Sequence, residues 1–338
     1  MQIESSRPLQ LLNTFGIAVN ASHYVAVHDA ARLPSLLTSG ASELQRILVL
    51  GGGSNVLFTE DFNGLVLHMV NKGIDVLSED DDVMIVRVAA GEVWDDFVTW
   101  STDRSLYGIE NLVAIPGSVG AAPVQNIGAY GMELSDTLQE VEVVMLEDGS
   151  RHNFSNSMCQ FGYRTSLFKN ELKGQVVITS VTFRLRKRGT LNLSYKGVEE
   201  VLHQRHLHHP NPADVADAIR HIRDTKLPDP KRTGNAGSFF KNPVVSAEDH
   251  QRLMALHPGL PSYPQSDGTV KVAAGWLIEH AGLKGFRMGN ASVHDRQALV
   301  LVNTGNATGT EVVTLANHII KTVWITYGIR LEPEVNIL

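Results

Sequence analysis

The sequence predicts an α+β fold, a mixed first half built around two glycine-rich loops followed by a second α/β unit. Three observations carry this expectation. Glycine is concentrated at 51–55 (GGGSN) and 115–131 (IPGSVGAAPVQNIGAYG), each loop preceded by apolar or mixed segments that read as elements. Around these loops the first half alternates apolar and polar residues as strands do, and after residue 205 the apolar spacing becomes helical.

In chain order, RILVLGGGSNVLF has the form of a buried β-branched strand, a tight glycine turn and a second short strand. A Rossmann fingerprint needs strand, turn and helix, so a doubly wound Rossmann sheet is disfavoured. DVMIVRVAAG alternates as a strand, EVWDDFVTWSTDRSL reads as an amphipathic helix, and EVEVVMLEDGSRHNF reads as a hairpin turning at Asp148-Gly149. NPADVADAIRHIRDTKL, SAEDHQRLMAL and KVAAGWLIEHAGL carry helical spacing, with QALVLVN as a strand after them. A helix from about Thr310 to Tyr327 and a strand over GIRLEPEV close the chain, and Trp276 and Phe286 are expected in the core.

At 338 residues, with 43% hydrophobic and 19% charged residues, the chain is long enough for two or three domains and ordinary for a folded protein. Its 29 basic and 36 acidic residues give a net charge of −7, and no block of Lys and Arg interleaves with aromatics, which argues against nucleic acid as a partner. The single cysteine, Cys159, excludes an internal disulfide and any Cys-based zinc or iron–sulfur site, and fits a reducing compartment. The start MQIESSRPLQLLNTFG lacks a basic segment followed by an apolar core, and no run approaches 18 apolar residues, so a cytoplasmic protein with no membrane partner is expected. His203, His206, His208 and His209 have no carboxylate at a ligand-like interval; they read as a solvated helix end, and no metal is expected.

Runs of small residues expose successive backbone N–H groups, and such concavities bind phosphate oxygens without a cationic side chain. GGGSN by itself is often only a turn. The second loop is more specific: 17 residues with four glycines, two prolines and no charge, suited to a large uncharged or anionic ligand such as a dinucleotide with a flat ring system. GNAGSFFKNP (234–243) sets Ser238 on a small-residue turn with Phe239 and Phe240 as anchors. Alone it reads equally as a turn whose serine caps a neighbouring backbone group.

The pairing of GGGSNVLF with IPGSVGAAPVQNIGAYG resembles the FAD-binding domain of vanillyl-alcohol-oxidase-type flavoproteins. FGYRTSLFK (161–169), TKLPDPKRTGNAGSFFKNP (225–243) and LEPEV (331–335) are similar to the UDP-N-acetylenolpyruvoylglucosamine reductase family, flavoenzymes that complete UDP-N-acetylmuramate in bacterial peptidoglycan synthesis and so serve cell shape and division. The similarity spans nearly the whole chain. LSYKGVEE (193–200) falls where the first class of that family carries a tyrosine loop over the substrate. The resemblance implies a two-part FAD-binding domain, 1–70 with the C-terminal strand 328–338 and then 71–205, plus a C-terminal α/β substrate-binding domain over 206–327. It also implies FAD and NADPH as cofactors, a monomer, and a small-molecule substrate, the enolpyruvyl ether of UDP-N-acetylglucosamine.

By the same resemblance the cofactor-binding residues are Gly51, Gly52, Gly53, Ser54, Asn55, Pro116, Gly117, Ser118, Gly120, Ala121, Gln125, Asn126, Gly128, Ala129 and Tyr130. Substrate contacts are implied for Tyr163, Tyr195, Lys226, Asn242 and Gln297, and catalysis for Ser238, Arg164 and Glu334. The chemistry suits these types. Hydride added to the terminal carbon of an enol ether leaves negative charge beside the carboxylate; an arginine fork and a protonated glutamate stabilise it, and a serine delivers the proton. Two rivals remain open at this level. A flavin oxidase on the same scaffold would resist anaerobic reduction by NADPH, and a non-catalytic nucleotide-sugar-binding module would purify without flavin colour.

Overall fold

The computed structural model describes residues 2–38, 46–195 and 197–338. These form two compact units, Met1–Arg7 with Ala21–Gly52 and Asn63–Thr225, and Pro8–Asn20 with Gly53–Phe62 and Lys226–Leu338. The functional boundaries expected at 70 and 205 divide the chain differently from these units. Helix Pro212–Lys226, assigned from its sequence position to the substrate domain, packs almost entirely within the first unit. Its Arg220 makes a two-pronged ion pair with Asp95, at 2.6 and 3.0 Å.

In the first unit, the β-branched run ILVL forms strand Ile47–Leu50, which lies parallel to Phe62–Met69 in a four-stranded sheet. The second sheet is antiparallel and ordered Arg151–Ser155, Leu138–Met145, Val176–Arg186, Val83–Ala89, Ile74–Glu79. Its first two strands form the expected hairpin, with Glu140 opposite Ser155 and Val144 opposite Arg151. Helix Trp94–Thr102 buries Trp94, Phe97 and Val98. The Phe97 ring centroid lies 4.9 Å from that of Phe183 on the central strand, and the Trp94 indole donates to the Leu112 carbonyl at 2.8 Å. The apolar spacing of this helix thus meets the inward side chains of the sheet.

The second unit holds an antiparallel sheet ordered Gly234–Ser238, Val300–Asn303, Ala291–Val293, Arg287–Met288 and a smaller one ordered Val244–Val245, Val270–Val272, Ser262–Pro264. Helix Gly309–Tyr327 opens on a capping box between Thr308 and Glu311 and ends at Gly328, so residue types fix both ends. Val312, Leu315, Ala316, Ile319 and Val323 form its buried stripe. KVAAGWLIEHAGL is only partly helical, because Val270–Val272 is a strand and the helix spans Ala274–His280. The expected strand over GIRLEPEV is not formed; the C-terminal strand is Asn336–Ile337, parallel to Val56–Leu57. Trp276 and Phe286 are half-buried rather than core. Trp276 stacks on His280 at 3.7 Å, and Phe286 stacks on His318 at 4.9 Å.

His203 ends helix Val198–Gln204 and is largely exposed, as a solvated helix end should be. Among the described residues no group of His, Cys, Asp and Glu could hold a metal ion, and no helix is long and apolar enough to cross a membrane.

Candidate active site

The first glycine loop begins where strand Ile47–Leu50 ends. A side chain on Gly51 would collide with the Ser118 hydroxyl, and one on Gly52 would come within 2.9 Å of the Gly117 Cα. Only bare backbone lets the two glycine loops lie against each other in this way. The second loop is braced from beneath by Asn126, which is fully buried with φ +45. Its side chain donates to Glu133 Oε2 at 2.7 Å and accepts from the Ser135 N–H at 3.0 Å. Gly120 rests on Ala90, and Gln125 accepts from Lys169 Nζ at 3.4 Å. Pro116 and Ala121 remain exposed on the loop surface.

Arg164 stands with φ +54, its guanidinium turned into the second loop. Nη2 donates to the Gly128 carbonyl at 2.6 Å and Nη1 to the Asn126 carbonyl at 3.5 Å, while the Tyr163 ring lies 5.6 Å away. The arginine is therefore a half-buried group fixed to the loop rather than a surface charge. Ala129 and Tyr130 follow directly. The Tyr130 carbonyl accepts from Asn111 Nδ2 at 2.8 Å, and its ring meets Tyr195 edge-on at 4.6 Å. Arg223, from helix Pro212–Lys226, lies beside the Tyr130 side chain; burial raises the Tyr130 phenol and lowers the Arg223 guanidinium from their ordinary values. Asn111 and Arg223 carry no motif that marks them in the sequence, because their partner lies far away along the chain.

In the second unit, the ladder between Gly234–Ser238 and Val300–Asn303 pairs Gly234 with Asn303 and Asn235 with Val302, then slips before Ser238 meets Val300. Buried Asn235 holds this bulge by accepting from the Gly237 N–H at 2.9 Å, with Gly237 at φ +69. Ser238 is thereby turned outward, while Phe239 and Phe240 directly after it are sealed in the core. LEPEV runs beside it. The Glu334 N–H donates to the Phe239 carbonyl at 2.8 Å and the Lys241 N–H to the Glu332 carbonyl at 3.0 Å, which brings half-buried Glu334 next to the serine turn. Asn55 donates to the Glu334 carbonyl at 3.4 Å, so the segment containing Gly53 and Ser54 joins the same strip.

The remaining predicted contacts are more dispersed. The Asn242 side chain accepts from the Ala274 N–H at 3.0 Å and so caps helix Ala274–His280, and Gln297 accepts from the Leu299 N–H at 3.3 Å. Lys226 is exposed where its helix ends. A cavity of about 720 Å³ in the first unit, lined in part by Tyr107, Glu110, Asn156, Arg184 and Arg186, includes none of the predicted site residues.

The residues present fit a diphosphate-bearing cofactor. Gly51 and Gly52 face Gly117 and Ser118 where a Cβ would fill the space, and neither loop contains an acidic side chain to repel phosphate.

Residues 21–155 match a family model described as FAD binding domain, and residues 229–338 match one described as UDP-N-acetylenolpyruvoylglucosamine reductase, C-terminal domain. A protein of Chromobacterium violaceum named UDP-N-acetylenolpyruvoylglucosamine reductase is 50% identical over 339 residues, covering 100% of this chain and 99% of its own length. One of the same name from Flavobacterium johnsoniae is 46% identical, with both chains fully covered. The crystal structure of the UDP-N-acetylenolpyruvylglucosamine reductase from Thermus caldophilus superposes with a TM-score of 0.71 over 100% of this chain and 99% of that one; at 24% identity it speaks to the fold.

Proposed function

We propose that this chain, which belongs to the UDP-N-acetylenolpyruvoylglucosamine reductase family, reduces the enolpyruvyl ether of UDP-N-acetylglucosamine to UDP-N-acetylmuramate with electrons from NADPH. It is an FAD-dependent oxidoreductase. The pathway served is peptidoglycan synthesis, and a nucleotide-sugar substrate with NADPH as reductant puts the reaction in the cytoplasm. FAD, when bound, would supply the hydride-transfer chemistry between NADPH and the vinyl carbon. The backbone of Gly51, Gly52, Gly117 and Ser118 would hold its diphosphate.

The side chains handle charge and the proton. Arg164 presents a planar cation to the carboxylate, whose oxygens take up the electron pair displaced from the double bond. Glu334, protonated, donates a further hydrogen bond to the same oxygens. Ser238 then passes its proton to the carbon bearing that charge, so one hydride and one proton are added across the double bond. Tyr195, Lys226, Asn242 and Gln297 bind the UDP-sugar. The observation that carries this reading is the outward-turned Ser238 on an Asn235-braced bulge beside Glu334, a placement that a serine serving only as a cap does not need.

The test is anaerobic. The purified protein should be yellow, NADPH should bleach it, and the enolpyruvyl substrate should restore the colour with formation of UDP-N-acetylmuramate. A colourless preparation that binds no FAD, or a bleached one that the substrate leaves unchanged, overturns the reading.

A further inference from the structure

The second glycine loop is entered through a side-chain clamp that no motif marks. Asp95, in the first turn of helix Trp94–Thr102, accepts from the Ala114 N–H through Oδ1 at 2.6 Å. Arg220 grips the same carboxylate with two bonds, Nη1 to Oδ2 at 2.6 Å and Nη2 to Oδ1 at 3.0 Å. Both side chains are partly exposed, and an ion pair of that kind adds little stability by its charge alone. What the planar fork supplies is orientation. With both guanidinium bonds made, the carboxylate is kept from rotating away from the Ala114 N–H.

The backbone at Ala114 gives the clamp its consequence. Ala114 stands at φ +57, in the left-handed region that an alanine enters only at a cost. Two residues on, Pro116 fixes its own φ and disfavours helical backbone at Ile115, so the direction in which the loop departs is set at Ala114. The loop then runs back along residues 90–94. The Trp94 N–H donates to the Gly117 carbonyl at 3.0 Å, the Val119 N–H to the Glu92 carbonyl at 2.9 Å, and the Gly120 N–H to the Ala90 carbonyl at 2.8 Å. These bonds join backbone to backbone; Asp95 adds a side chain to the lacing, at its first residue. Gly117 lies within the laced stretch, and its Cα is the atom that a side chain on Gly52 would approach to 2.9 Å. A shift at Ala114 therefore changes the spacing at which the two glycine loops meet.

We propose that Asp95 is a positioning residue for the cofactor: it holds Ala114 in its left-handed turn, with Arg220 orienting the carboxylate, and so sets Gly117 and Ser118 at the distance from Gly51 and Gly52 that the FAD diphosphate requires. This rests on the reading that the two loops hold that diphosphate.

The experiment measures flavin affinity of the apoprotein by fluorescence quenching, with FAD and with riboflavin, which lacks the diphosphate. Each variant is measured below its own thermal midpoint, so that a general loss of stability does not register as lost affinity. Asp95→Ala should weaken FAD about tenfold, the loss expected for one hydrogen bond to a charged group, and leave riboflavin unchanged. Arg220→Gln, which leaves the carboxylate in place and can still donate one bond to it, should lose less. Ala114→Gly takes the same φ without strain, so adding it to Asp95→Ala should recover part of the loss. Equal losses for FAD and riboflavin, no loss in Asp95→Ala, an Arg220→Gln loss as large as that of Asp95→Ala, or a defect that Ala114→Gly leaves untouched overturns the proposal. Gly52→Ala, whose Cβ would press on Gly117, separates the two levels. If it leaves the preference for FAD over riboflavin intact, the loops do not hold the diphosphate. If it erases that preference while Asp95→Ala does not reduce it, the loop reading stands and the role of Asp95 fails.

Discussion

Ser238 contributes a hydroxyl on an exposed bulge and no buried surface, so Ser238→Ala removes chemistry without removing packing. Hydride transfer from NADPH to the flavin needs no proton on the substrate carbon, whereas completing the reduction does. Flavin bleaching by NADPH should stay near the wild-type rate, and substrate-driven recovery of colour should slow by about 10² to 10⁴, the usual worth of a positioned general acid. Anaerobic stopped-flow follows both steps, and equal slowing of the two would make the serine a shaping residue instead. Arg164 asks for a different control, because its guanidinium also grips the Gly128 carbonyl at 2.6 Å. Arg164→Lys keeps the charge and loses the fork, so turnover should fall more than about tenfold. Flavin content measured on the same sample shows which role fails: full FAD occupancy with low turnover assigns the loss to the substrate carboxylate, and depleted flavin assigns it to the loop.

At the scale of elements, the short turn at Glu110–Leu112 carries a titration that should be visible in stability. Glu110 is buried, with its carboxylate accepting from the Gly108 N–H at 2.6 Å, and burial raises its proton affinity above the ordinary carboxylate value. The folded state then keeps the proton to higher pH than the unfolded chain does, so this group's contribution is present at low pH and is lost as pH rises above the carboxylate range. Glu110→Gln removes the titration and keeps a carbonyl acceptor. Denaturant midpoints should favour the wild type more at pH 5 than at pH 8, and an identical difference at both values would dismiss the effect. The elements easiest to read in the sequence were those whose limits are set by local chemistry, such as helix Gly309–Tyr327 with its Thr308–Glu311 box and the hairpin at Asp148-Gly149. GIRLEPEV misled for a local reason too. Its Ile329, Leu331 and Val335 are buried as alternation implies, but Pro333 has no N–H to give, and the backbone pairing with residues 239–241 is the single Phe240–Pro333 bridge with its two hydrogen bonds. Contacts across the chain left no trace at all: Arg220 with Asp95 and Asn111 with the Asn192 carbonyl each join ordinary residues from distant segments.

For the whole molecule, the order of segments matters more than either unit's composition. The second unit takes Pro8–Asn20 and Gly53–Phe62 from the N-terminal part of the chain and joins them to Lys226–Leu338. These borrowed pieces lie at its centre. Phe15, Leu57 and Phe58 are fully buried, and the Phe15 ring meets Phe239 edge-on at 6.3 Å. The Phe15 carbonyl accepts from Asn303 Nδ2 at 2.9 Å, the Thr14 carbonyl accepts from the Asn235 N–H at 3.0 Å, and Thr59 closes on the Leu338 carbonyl at 2.6 Å. Burying an aromatic or leucine side chain contributes roughly 1.5–3 kcal/mol, and a whole domain is stable by only about 5–15 kcal/mol, so losing three such side chains and their hydrogen bonds removes most of the margin. Residues 229–338, which match a family C-terminal domain on their own, should therefore not fold when expressed alone. The fragment should give a collapsed amide proton spectrum and no cooperative melt, whereas the full chain melts cooperatively. Joining residues 8–20 and 53–62 to the fragment through flexible linkers should recover dispersion, because the missing strand partner Val56–Leu57 and the Phe15 anchor return together. A fragment 229–338 that melts cooperatively by itself would show that the borrowed segments decorate a self-sufficient core, and Asn235 would then hold the Ser238 bulge without help from Thr14.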